Sequence, residues 1–345
     1  MTSPTVGIRC DAGRRTGVGH LLRCVALAEE LTARGVGVHV IGDLGGLAWA
    51  EAQLLGRGLP HHPPPVDPAG LIATAERLRL DALVVDSYQL PPAHSAAVRA
   101  TGRTVLAIVD GDLRGQTADV YVDQNLDAEL ATPALPAGAI RLAGLDYALL
   151  RVAVRRLRPA RAPQRGDART PRVVAFFGGT DAYGAAPTVA SLLIRTGAPF
   201  DALVVAADDR RRHELLALAP GPGQRIEIIA PTDELPKLLA DADVVVSASG
   251  TSTWELLCLG APAALIWVAD NQILGYERAV ARGLAAGLGR LSALETPGPA
   301  IEPAVTVLRT LLTDPATRAA LAARGWAAVD GRGVERVADA LLTRL

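Results

Sequence analysis

The length, composition and charge of the chain exclude several classes of protein. Its 345 residues suffice for two domains, and half of them are apolar, so sizeable cores can form. A formal net charge of -1 argues against a nucleic-acid surface or a polybasic membrane anchor. No apolar run approaches the roughly 18 residues of a membrane span, and no signal peptide is visible. Cys10, Cys24 and Cys258 are scattered, without metal-binding or disulfide spacing. We therefore expect a cytoplasmic protein with reduced thiols, no membrane span and no nucleic-acid partner.

Alternating strands and helices are predicted in the N-terminal half. Short β-branched runs predict strands at 6–10, 36–41, 81–86 and 104–110, with shorter ones at 118–122 and 140–142. Helical spacing of apolar residues predicts helices at 21–31, 69–78 and 92–101. This alternation predicts a parallel, doubly wound sheet that binds ligands at the carboxyl ends of its strands.

The same pattern restarts after a polar, proline-containing stretch. Residues 151–171 carry seven arginines and three prolines without an apolar period, which indicates an interdomain linker. Strands are then predicted at 172–177, 201–206, 226–229, 244–246 and 263–267, and helices at 186–195, 232–240, 304–313, 315–326 and 334–345. We therefore predict an α/β protein of two Rossmann-like domains, residues 1–150 and 172–345, facing each other across a cleft that would hold the substrate.

The most informative stretch follows the strand predicted at 244–246. Small residues from Ser249 to Thr251 indicate a tight turn in which Gly250 takes left-handed backbone angles. Ser252 and Glu255 have capping-box spacing at the start of a helix that Gly260 ends. Unpaired N–H groups in the first helical turn would then be available to a diphosphate.

Two further turns have glycines at the end of a predicted strand. Gly178-Gly179-Thr180-Asp181 opens the second domain and, together with residues 250–253, would form a two-loop phosphate cradle. Gly17-Val18-Gly19-His20 follows the first strand, where the glycines allow close approach of a ligand and the histidine suits general-base chemistry at neutral pH. Each motif also has a purely structural interpretation, as a steric turn or a surface histidine.

Several polar residues admit more than one role. Glu255 either satisfies its own helix end or accepts hydrogen bonds from a ribose, and the amides of Asn271 and Gln272 are suited to sugar hydroxyls. Asp110-Gly111-Asp112 has the form of a metal-binding Asp-x-Asp, but it lies in the other domain from the predicted diphosphate cradle, which disfavours a metal role.

Taken together, these motifs resemble one family. The chain is similar to the UDP-2,4-diacetamido-2,4,6-trideoxy-β-L-altropyranose hydrolases of the pseudaminic-acid pathway, which are grouped with spore-coat polysaccharide biosynthesis glycosyltransferase-like proteins. The resemblance covers about residues 6–275. It rests on Arg9-Cys-Asp11, Gly17-Val-Gly-His-Leu-Leu-Arg-Cys24, Asp86-Ser-Tyr88, Phe177-Gly-Gly-Thr-Asp181, Ser249-Gly-Thr-Ser-Thr-Trp-Glu255 and Asp270-Asn-Gln272. The chain departs from the family at Asp110-Gly111, where two acidic residues are expected, and at Asp123, where an amide is expected.

The resemblance implies a glycosyltransferase-B architecture, a role for each motif, and neither metal nor cofactor. It implies that His20 activates water. The residues implied to contact the sugar are Asp11, Gly19, Tyr88, Asn271 and Gln272. Those implied to hold the nucleotide and its diphosphate are Gly17, Gly178, Gly179, Thr180, Ser249, Gly250, Thr251, Ser252, Thr253 and Glu255.

The function expected on this basis is inverting hydrolysis of a UDP-activated amino or deoxy sugar in polysaccharide biosynthesis. The alternative is an inverting UDP-sugar-dependent glycosyltransferase that uses the same cleft with another acceptor. A nucleotide-sugar-binding protein without activity is a third interpretation. A nicotinamide-dependent oxidoreductase is disfavoured, because Gly17-Val18-Gly19 lacks a third glycine at the required spacing.

Overall fold

The computed structural model describes residues 3–13, 17–163 and 169–345, and divides into two compact units. Unit 1 comprises Met1–Val152 and Gly331–Leu345, and unit 2 comprises Ala153–Asp330. Parts of two predicted segments, residues 14–16 of the first loop and 164–168 of the linker, lie outside the described residues. None of the described helices combines the length and apolar character that a bilayer crossing requires.

Unit 1 is built on a seven-stranded parallel sheet of order β3-β2-β1-β4-β5-β6-β7. Its strands are β1 (Thr5–Cys10), β2 (Gly37–Ile41), β3 (His61–His62), β4 (Ala82–Asp86), β5 (Thr104–Ile108), β6 (Val120–Asp123) and β7 (Ile140–Ala143). Its first helices are α1 (Gly19–Ala33), α2 (Ala48–Leu55), α3 (Pro68–Arg77) and α4 (Pro92–Ala100). The strand order reverses between β1 and β4, so a crevice for ligands is expected at their carboxyl ends.

Unit 2 repeats this plan with a six-stranded parallel sheet of order β10-β9-β8-β11-β12-β13. Its strands are β8 (Arg172–Phe176), β9 (Phe200–Val205), β10 (Gln224–Ile229), β11 (Val244–Ala248), β12 (Ala263–Trp267) and β13 (Ala286–Arg290). The helices in this part of the chain are α5 (Val152–Leu157), α6 (Ala185–Arg195), α7 (Asp209–Leu216), α8 (Leu235–Asp241), α9 (Ser252–Leu259), α10 (Ile273–Ala281), α11 (Leu291–Leu294), α12 (Ile301–Thr313) and α13 (Pro315–Ala328). Here the order reverses between β8 and β11.

The predicted fold class, two parallel-sheet Rossmann-like domains, is confirmed. The helices and strands that the sequence analysis did not predict are α2, β3, α5, α7, α10, β13 and α11. Two of them show why: β3 has only two residues, and Asp-Arg-Arg-Arg-His in α7 presents no apolar stripe. Within the predicted linker the chain forms α5, which buries Val154 completely.

The last helix, α14 (Gly333–Leu342), packs in unit 1, whereas the sequence analysis placed it in the second domain. Val334, Val337 and Leu341 are fully buried in the hydrophobic core that also contains β1 and the apolar face of α1. On the surface, Arg34, which follows the last residue of α1, donates to Asp339 of α14. The apolar spacing along α14 shows that one face must be buried, but not which sheet it covers.

We predict that Gly333→Ala destabilises unit 1. A Cβ atom at this position would lie 2.4–2.5 Å from the backbone N and O of Ala148, so the two segments would have to separate, at a cost of about 1–3 kcal/mol. The control is Gly275→Ala in α10, where no atom lies within 4 Å of the added Cβ and helix propensity favours alanine. Chemical denaturation should show a lower free energy of unfolding for Gly333→Ala and no decrease for Gly275→Ala.

Candidate active site

The N-terminal site lies where the strand order of unit 1 reverses. β1 pairs in parallel with β4, and Cys10 is the register partner of Asp86, the last residue of β4. The loop after β1 leads into α1, of which His20 is the second residue. Two residues 66 positions apart in the sequence therefore meet at one sheet edge: His20 Nδ1 lies 2.6 Å from Asp86 Oδ1.

The tautomer of His20 follows from this contact. Burial alone would raise the pKa of Asp86, but the charges of Arg23 and His20 and their hydrogen bonds outweigh it and lower the pKa to about 2. An ionised carboxylate can only accept, so Nδ1 must carry the proton that it donates to Asp86. The imidazole ring also meets the Tyr88 ring edge-to-face, with centroids 4.5 Å apart. Nε2 is therefore the nitrogen left to act as a base.

A buried arginine lies beneath this pair. Arg23 donates to both oxygens of Asp86, at 2.6 and 2.7 Å, and to both oxygens of Asp110, at 3.0 and 3.1 Å. Although burial opposes it, the Arg23 charge holds the pKa of Asp110 well below its usual range. Asp86 and Arg23 lay within the motifs quoted above, but the sequence assigned them no role, because only the fold brings them together.

Asp110 connects Tyr88 to this cluster. The Tyr88 hydroxyl donates to Asp110 Oδ2 at 2.6 Å, and Asn125 Nδ2 donates to Asp110 Oδ1 at 3.0 Å. Burial and the neighbouring Asp110 carboxylate raise the pKa of Tyr88, which keeps its hydroxyl protonated. Arg114 stacks over the Tyr88 ring at 4.3 Å, and about half of the Tyr88 side chain stays exposed. Tyr88 is thus held as an exposed aromatic surface next to His20.

The two positions at which the chain departs from the pattern it resembles, Gly111 and Asp123, contact each other. Gly111 has a φ of 78°, a left-handed conformation that glycine adopts without strain, and its N–H donates to Asp123 Oδ2 at 3.0 Å. Asp123 also accepts from Asn125 Nδ2 at 2.9 Å and from Arg141 at 3.1 Å. Donors thus surround this position, and a carboxylate, which only accepts, suits it.

The other residues predicted in the first loop lie beside this cluster. Asp11 accepts from Arg9 at 2.5 Å and from the backbone N–H of Asp43 at 2.9 Å, so it ties the ends of β1 and β2 together. Gly17 has a φ of 74° and forms two backbone hydrogen bonds with Gly13 across the base of the loop. Gly19 is the first residue of α1.

In unit 2, the turn after β8 has fewer N–H groups available to bind an anion than the sequence analysis predicted. Gly178 has a φ of 75°, and Gly178 and Gly179 are exposed. The buried carboxylate of Asp181, however, accepts from the N–H groups of Ala185 and Ala186, at 2.8 and 3.1 Å, and the third residue of α6 is a proline. The first turn of α6 is therefore already capped, and a diphosphate near Gly178–Thr180 would have to use the turn itself.

The turn after β11 differs from its predicted geometry. Gly250 is not among the residues with positive φ, and the helix cap is Thr251, not Ser252, with no capping side-chain hydrogen bond. Ser252 is the first helical residue, so the predicted capping box is wrong. Instead the Thr253 hydroxyl accepts from the N–H of Gly250 at 3.3 Å. The N–H groups of Thr251 and Ser252 have no hydrogen-bond acceptor among the described residues, so the N-terminus of α9, unlike that of α6, can still accept an anion.

The remaining predicted residues of unit 2 lie around this turn. Glu255 is 7% exposed on α9, and Ser249 is buried at the end of β11. Gln272 Oε1 accepts from the N–H of Val268 at 3.0 Å, and its Nε2 points to Gly250, 3.9 Å from where a Cβ would lie. Asn271 is exposed. The motifs around 250 and 272 are thus neighbours, as parallel pairing of β11 with β12 requires.

Comparisons with solved structures identify the fold. The crystal structure of MurG from Acinetobacter baumannii matches 99% of this chain and 100% of its own, with a TM-score of 0.72 and 15% identity. The UDP-GlcNAc 2-epimerase of Neisseria meningitidis, solved with UDP-GlcNAc, matches 98% and 100%, with a TM-score of 0.64 and 14% identity. The glycosyltransferase SsfS6 of Streptomyces sp. SF2575 matches 97% and 99%, with a TM-score of 0.60 and 13% identity. The fold is therefore that of glycosyltransferase-B structures.

Sequence comparison adds no closer relationship. No protein-family profile matches the chain, and no curated protein sequence matches it. At identities of 13–15% the structural likeness shows the fold alone.

We predict that Arg23→Met destabilises the protein by about 3–5 kcal/mol at neutral pH, because it leaves the buried carboxylate of Asp86 and the partly buried carboxylate of Asp110 without their cation. The pKa of Asp86 is lowered in the folded protein, so the stability it contributes is present above about pH 4 and is lost as the pH falls toward 2. The difference in unfolding free energy between the wild type and Arg23→Met should therefore become smaller as the pH falls from 4 to 2. Arg34→Met removes a partly exposed arginine that also binds two carboxylates, and should cost less than about 1 kcal/mol. Denaturant unfolding measured from pH 7 to pH 2 tests both.

Proposed function

We propose that the chain is an inverting, UDP-sugar-dependent glycosyltransferase in which His20 is the general base. The observation that carries this proposal is the 2.6 Å contact between His20 Nδ1 and the Asp86 carboxylate, which leaves Nε2 as the proton acceptor. In unit 2 the turns after β8 and β11 lie at the corresponding reversal of strand order, where doubly wound domains bind nucleotides.

The proposed reaction needs no covalent intermediate. An acceptor hydroxyl attacks C1 of the sugar on the face opposite UDP, and the bond between C1 and the diphosphate oxygen breaks. The electron pair leaves with UDP, and the hydroxyl proton passes to His20 Nε2. The imidazolium that forms is stabilised by the ionised Asp86 on its other nitrogen. Alignment of acceptor, sugar and leaving group supplies most of the remaining acceleration.

The residues of unit 2 are proposed to hold the nucleotide. The N-terminus of α9, from Ser249 to Thr253, would bind the diphosphate, because the N–H groups of Thr251 and Ser252 have no acceptor among the described residues and the helix dipole favours negative charge. Gly178, Gly179 and Thr180 would line the same phosphates through their turn. Glu255 would accept hydrogen bonds from the ribose hydroxyls, and Asn271 and Gln272 would contact the sugar. In unit 1, Asp11, Gly19 and Tyr88 would contact the sugar, and Gly17 would contact the diphosphate.

Hydrolysis of a UDP-activated amino or deoxy sugar is the second candidate. It is favoured by the ordered motifs shared with the UDP-2,4-diacetamido-2,4,6-trideoxyhexose hydrolases of pseudaminic-acid biosynthesis, including the intact run from Gly17 to Cys24. The chemistry at His20 is the same, with water in place of the acceptor. The structural neighbours include the glycotransferase of kitacinnamycin and the glycosyltransferase SsfS6, which favours the transferase.

The proposal predicts that UDP-sugars stabilise the protein and that His20 is needed for their turnover. UDP release from UDP-glucose and UDP-N-acetylglucosamine should be measured with and without a panel of hydroxyl acceptors. Release that requires an acceptor indicates transfer, and release in water alone indicates hydrolysis. His20→Asn should reduce turnover at least about 10²-fold with little change in UDP affinity.

His213→Asn on the exposed surface of α7 is the matched control and should leave turnover unchanged. Stabilisation by NAD and by none of the UDP, dTDP, GDP or CDP sugars would overturn the proposal. Full turnover by His20→Asn would remove His20 from the base role.

The proposed role of Glu255 predicts a ribose-dependent loss of affinity in Glu255→Gln. Glutamine keeps an acceptor oxygen but loses the charge, and a charged hydrogen bond exceeds a neutral one by about 1–1.5 kcal/mol, so UDP should bind roughly 5–10-fold more weakly. Calorimetry with 2′,3′-dideoxy-UDP, which lacks both ribose hydroxyls, provides the internal control, because the variant should bind this ligand about as well as the wild type does. Equal weakening for both ligands would instead indicate that Glu255 only supports the helix.

A further inference from the structure

Unit 1 has a pocket that the proposed reaction does not use. It opens at the carboxyl end of β7, between the segment 129–135, which follows β6, and residues 141–147. Its volume is about 380 Å³. Ligand pockets of proteins have volumes of about 300–1,000 Å³, so this one is large enough for a sugar ring.

One arginine ties the two walls of this pocket together. Arg141 of β7 donates to the carbonyl oxygen of Ala131 at 2.8 Å and to the buried carboxylate of Asp123 at 3.1 Å. The segment after β6 is thereby fixed beside β7, and the Arg141 charge is paired within the protein. The pocket is therefore built into the fold.

Two polar side chains of the lining keep unused hydrogen-bonding capacity. The carboxylate of Glu129 and the hydroxyl of Tyr147 have no hydrogen-bond partner among the described residues. Glu129 lies against Gly144, where a φ of 99° favours glycine and an added Cβ atom would lie 2.5 Å from Glu129 Oε2. A carboxylate only accepts hydrogen bonds, so Glu129 is suited to a donor on a ligand.

The remaining lining is mainly apolar. Ala131, Pro133, Leu135 and Ala143 contribute hydrocarbon surface, as the walls of small-molecule pockets commonly do. A sugar ring has an apolar face of C–H groups and a rim of hydroxyls. Such a ring can place its apolar face on this surface and turn its rim toward the polar side chains.

We propose that this pocket binds an amine-bearing sugar unit. Glu129 accepts hydrogen bonds from the ammonium group, and the Tyr147 hydroxyl contacts a hydroxyl of the ring. A hydrogen bond between an ammonium group and a carboxylate is stronger than one between neutral groups, so Glu129 determines the class of ligand.

The connection of this pocket to catalysis rests on the proposed function. β7 is the third strand along from β4, whose last residue, Asp86, contacts His20. Neighbouring strands lie about 4.8 Å apart, so the pocket is roughly 14 Å along the sheet edge from that contact. A single sugar ring cannot span this distance. The pocket would therefore hold a distal, amine-bearing unit of an acceptor that contains several sugar units.

The test of binding uses free sugars and needs no UDP-sugar. Glucosamine, glucose and glucuronate are titrated into the intact protein and followed by ligand-observed NMR, at a slightly acid pH at which the amine is protonated. Glucosamine should bind most tightly and glucuronate most weakly, because Glu129 attracts an ammonium group and repels a carboxylate.

Two substitutions locate the binding, each with a matched control. Glu129→Gln keeps an acceptor oxygen but loses the charge, so glucosamine should bind roughly 5–10-fold more weakly. Glu51→Gln on the exposed surface of α2 should have no effect. Ala131→Trp places a large ring at an exposed position of the lining and should abolish binding. Ala134→Trp makes the same change in the same segment, outside the lining, and should leave binding intact.

Three outcomes would overturn the inference. Glucosamine could bind no more tightly than glucose and glucuronate, its binding could survive Ala131→Trp, or its affinity could be equal in Glu129→Gln and the wild type. The last measurement decides the case if Ala131→Trp folds poorly, because Glu129→Gln changes no shape and only one charge.

The readouts separate this inference from the proposed function. Binding of glucosamine without turnover of any UDP-sugar would leave the pocket established and count against the transferase. If transfer is found, β-linked glucosamine oligomers should have a lower KM than free glucosamine, and Ala131→Trp should remove this advantage while transfer to simple alcohols stays unchanged. Equal KM values in the wild type would show that the pocket does not serve the acceptor.

Discussion

The hydrogen bond between His20 and Asp86 is the interaction on which the proposed chemistry depends. It exists because β1 and β4 are parallel neighbours, so that the loop after one strand and the last residue of the other share a sheet edge. An ionised carboxylate in a buried position would be unstable without Arg23, which binds both oxygens of Asp86. The core of unit 1 therefore includes a charged cluster that the hydrophobic strands on either side hold in place.

The two turns of unit 2 show that similar sequence motifs differ in what they can bind. At α6 an internal carboxylate, Asp181, occupies the N-terminus, and burial raises the pKa of that group. Asp181 also has a φ of 39°, a strained value that the surrounding turn imposes. At α9 the side chain of the cap residue, Thr251, makes no capping hydrogen bond within the described part of the chain. The helix with the unoccupied end is the better anion site, although both motifs are rich in glycine and threonine.

The fold tolerates wide sequence divergence because most core positions require only an apolar side chain of suitable size. Buried parallel strands require β-branched and small apolar side chains, which many sequences provide, and a TM-score of 0.72 at 15% identity reflects this. Function depends instead on a few polar residues at the carboxyl ends of strands. Whether the proposed acceptor is a hydroxyl compound or water depends on those loops, not on the sheets that they share with other glycosyltransferase-B structures.

The sequence by itself determined the alternation of strands and helices, the two-sheet fold class and the candidate motifs, because period and turn chemistry are local properties. It did not reveal that α14 packs in unit 1, because the apolar pattern of a helix shows that one face is buried but not which sheet that face contacts. Nor did it assign roles to Arg23, Asp86 and Asp110, which lie up to 87 residues apart. Their ion pairs, like the capping of α6 by Asp181 in place of a bound anion, depend on distances in space, which only the tertiary structure decided.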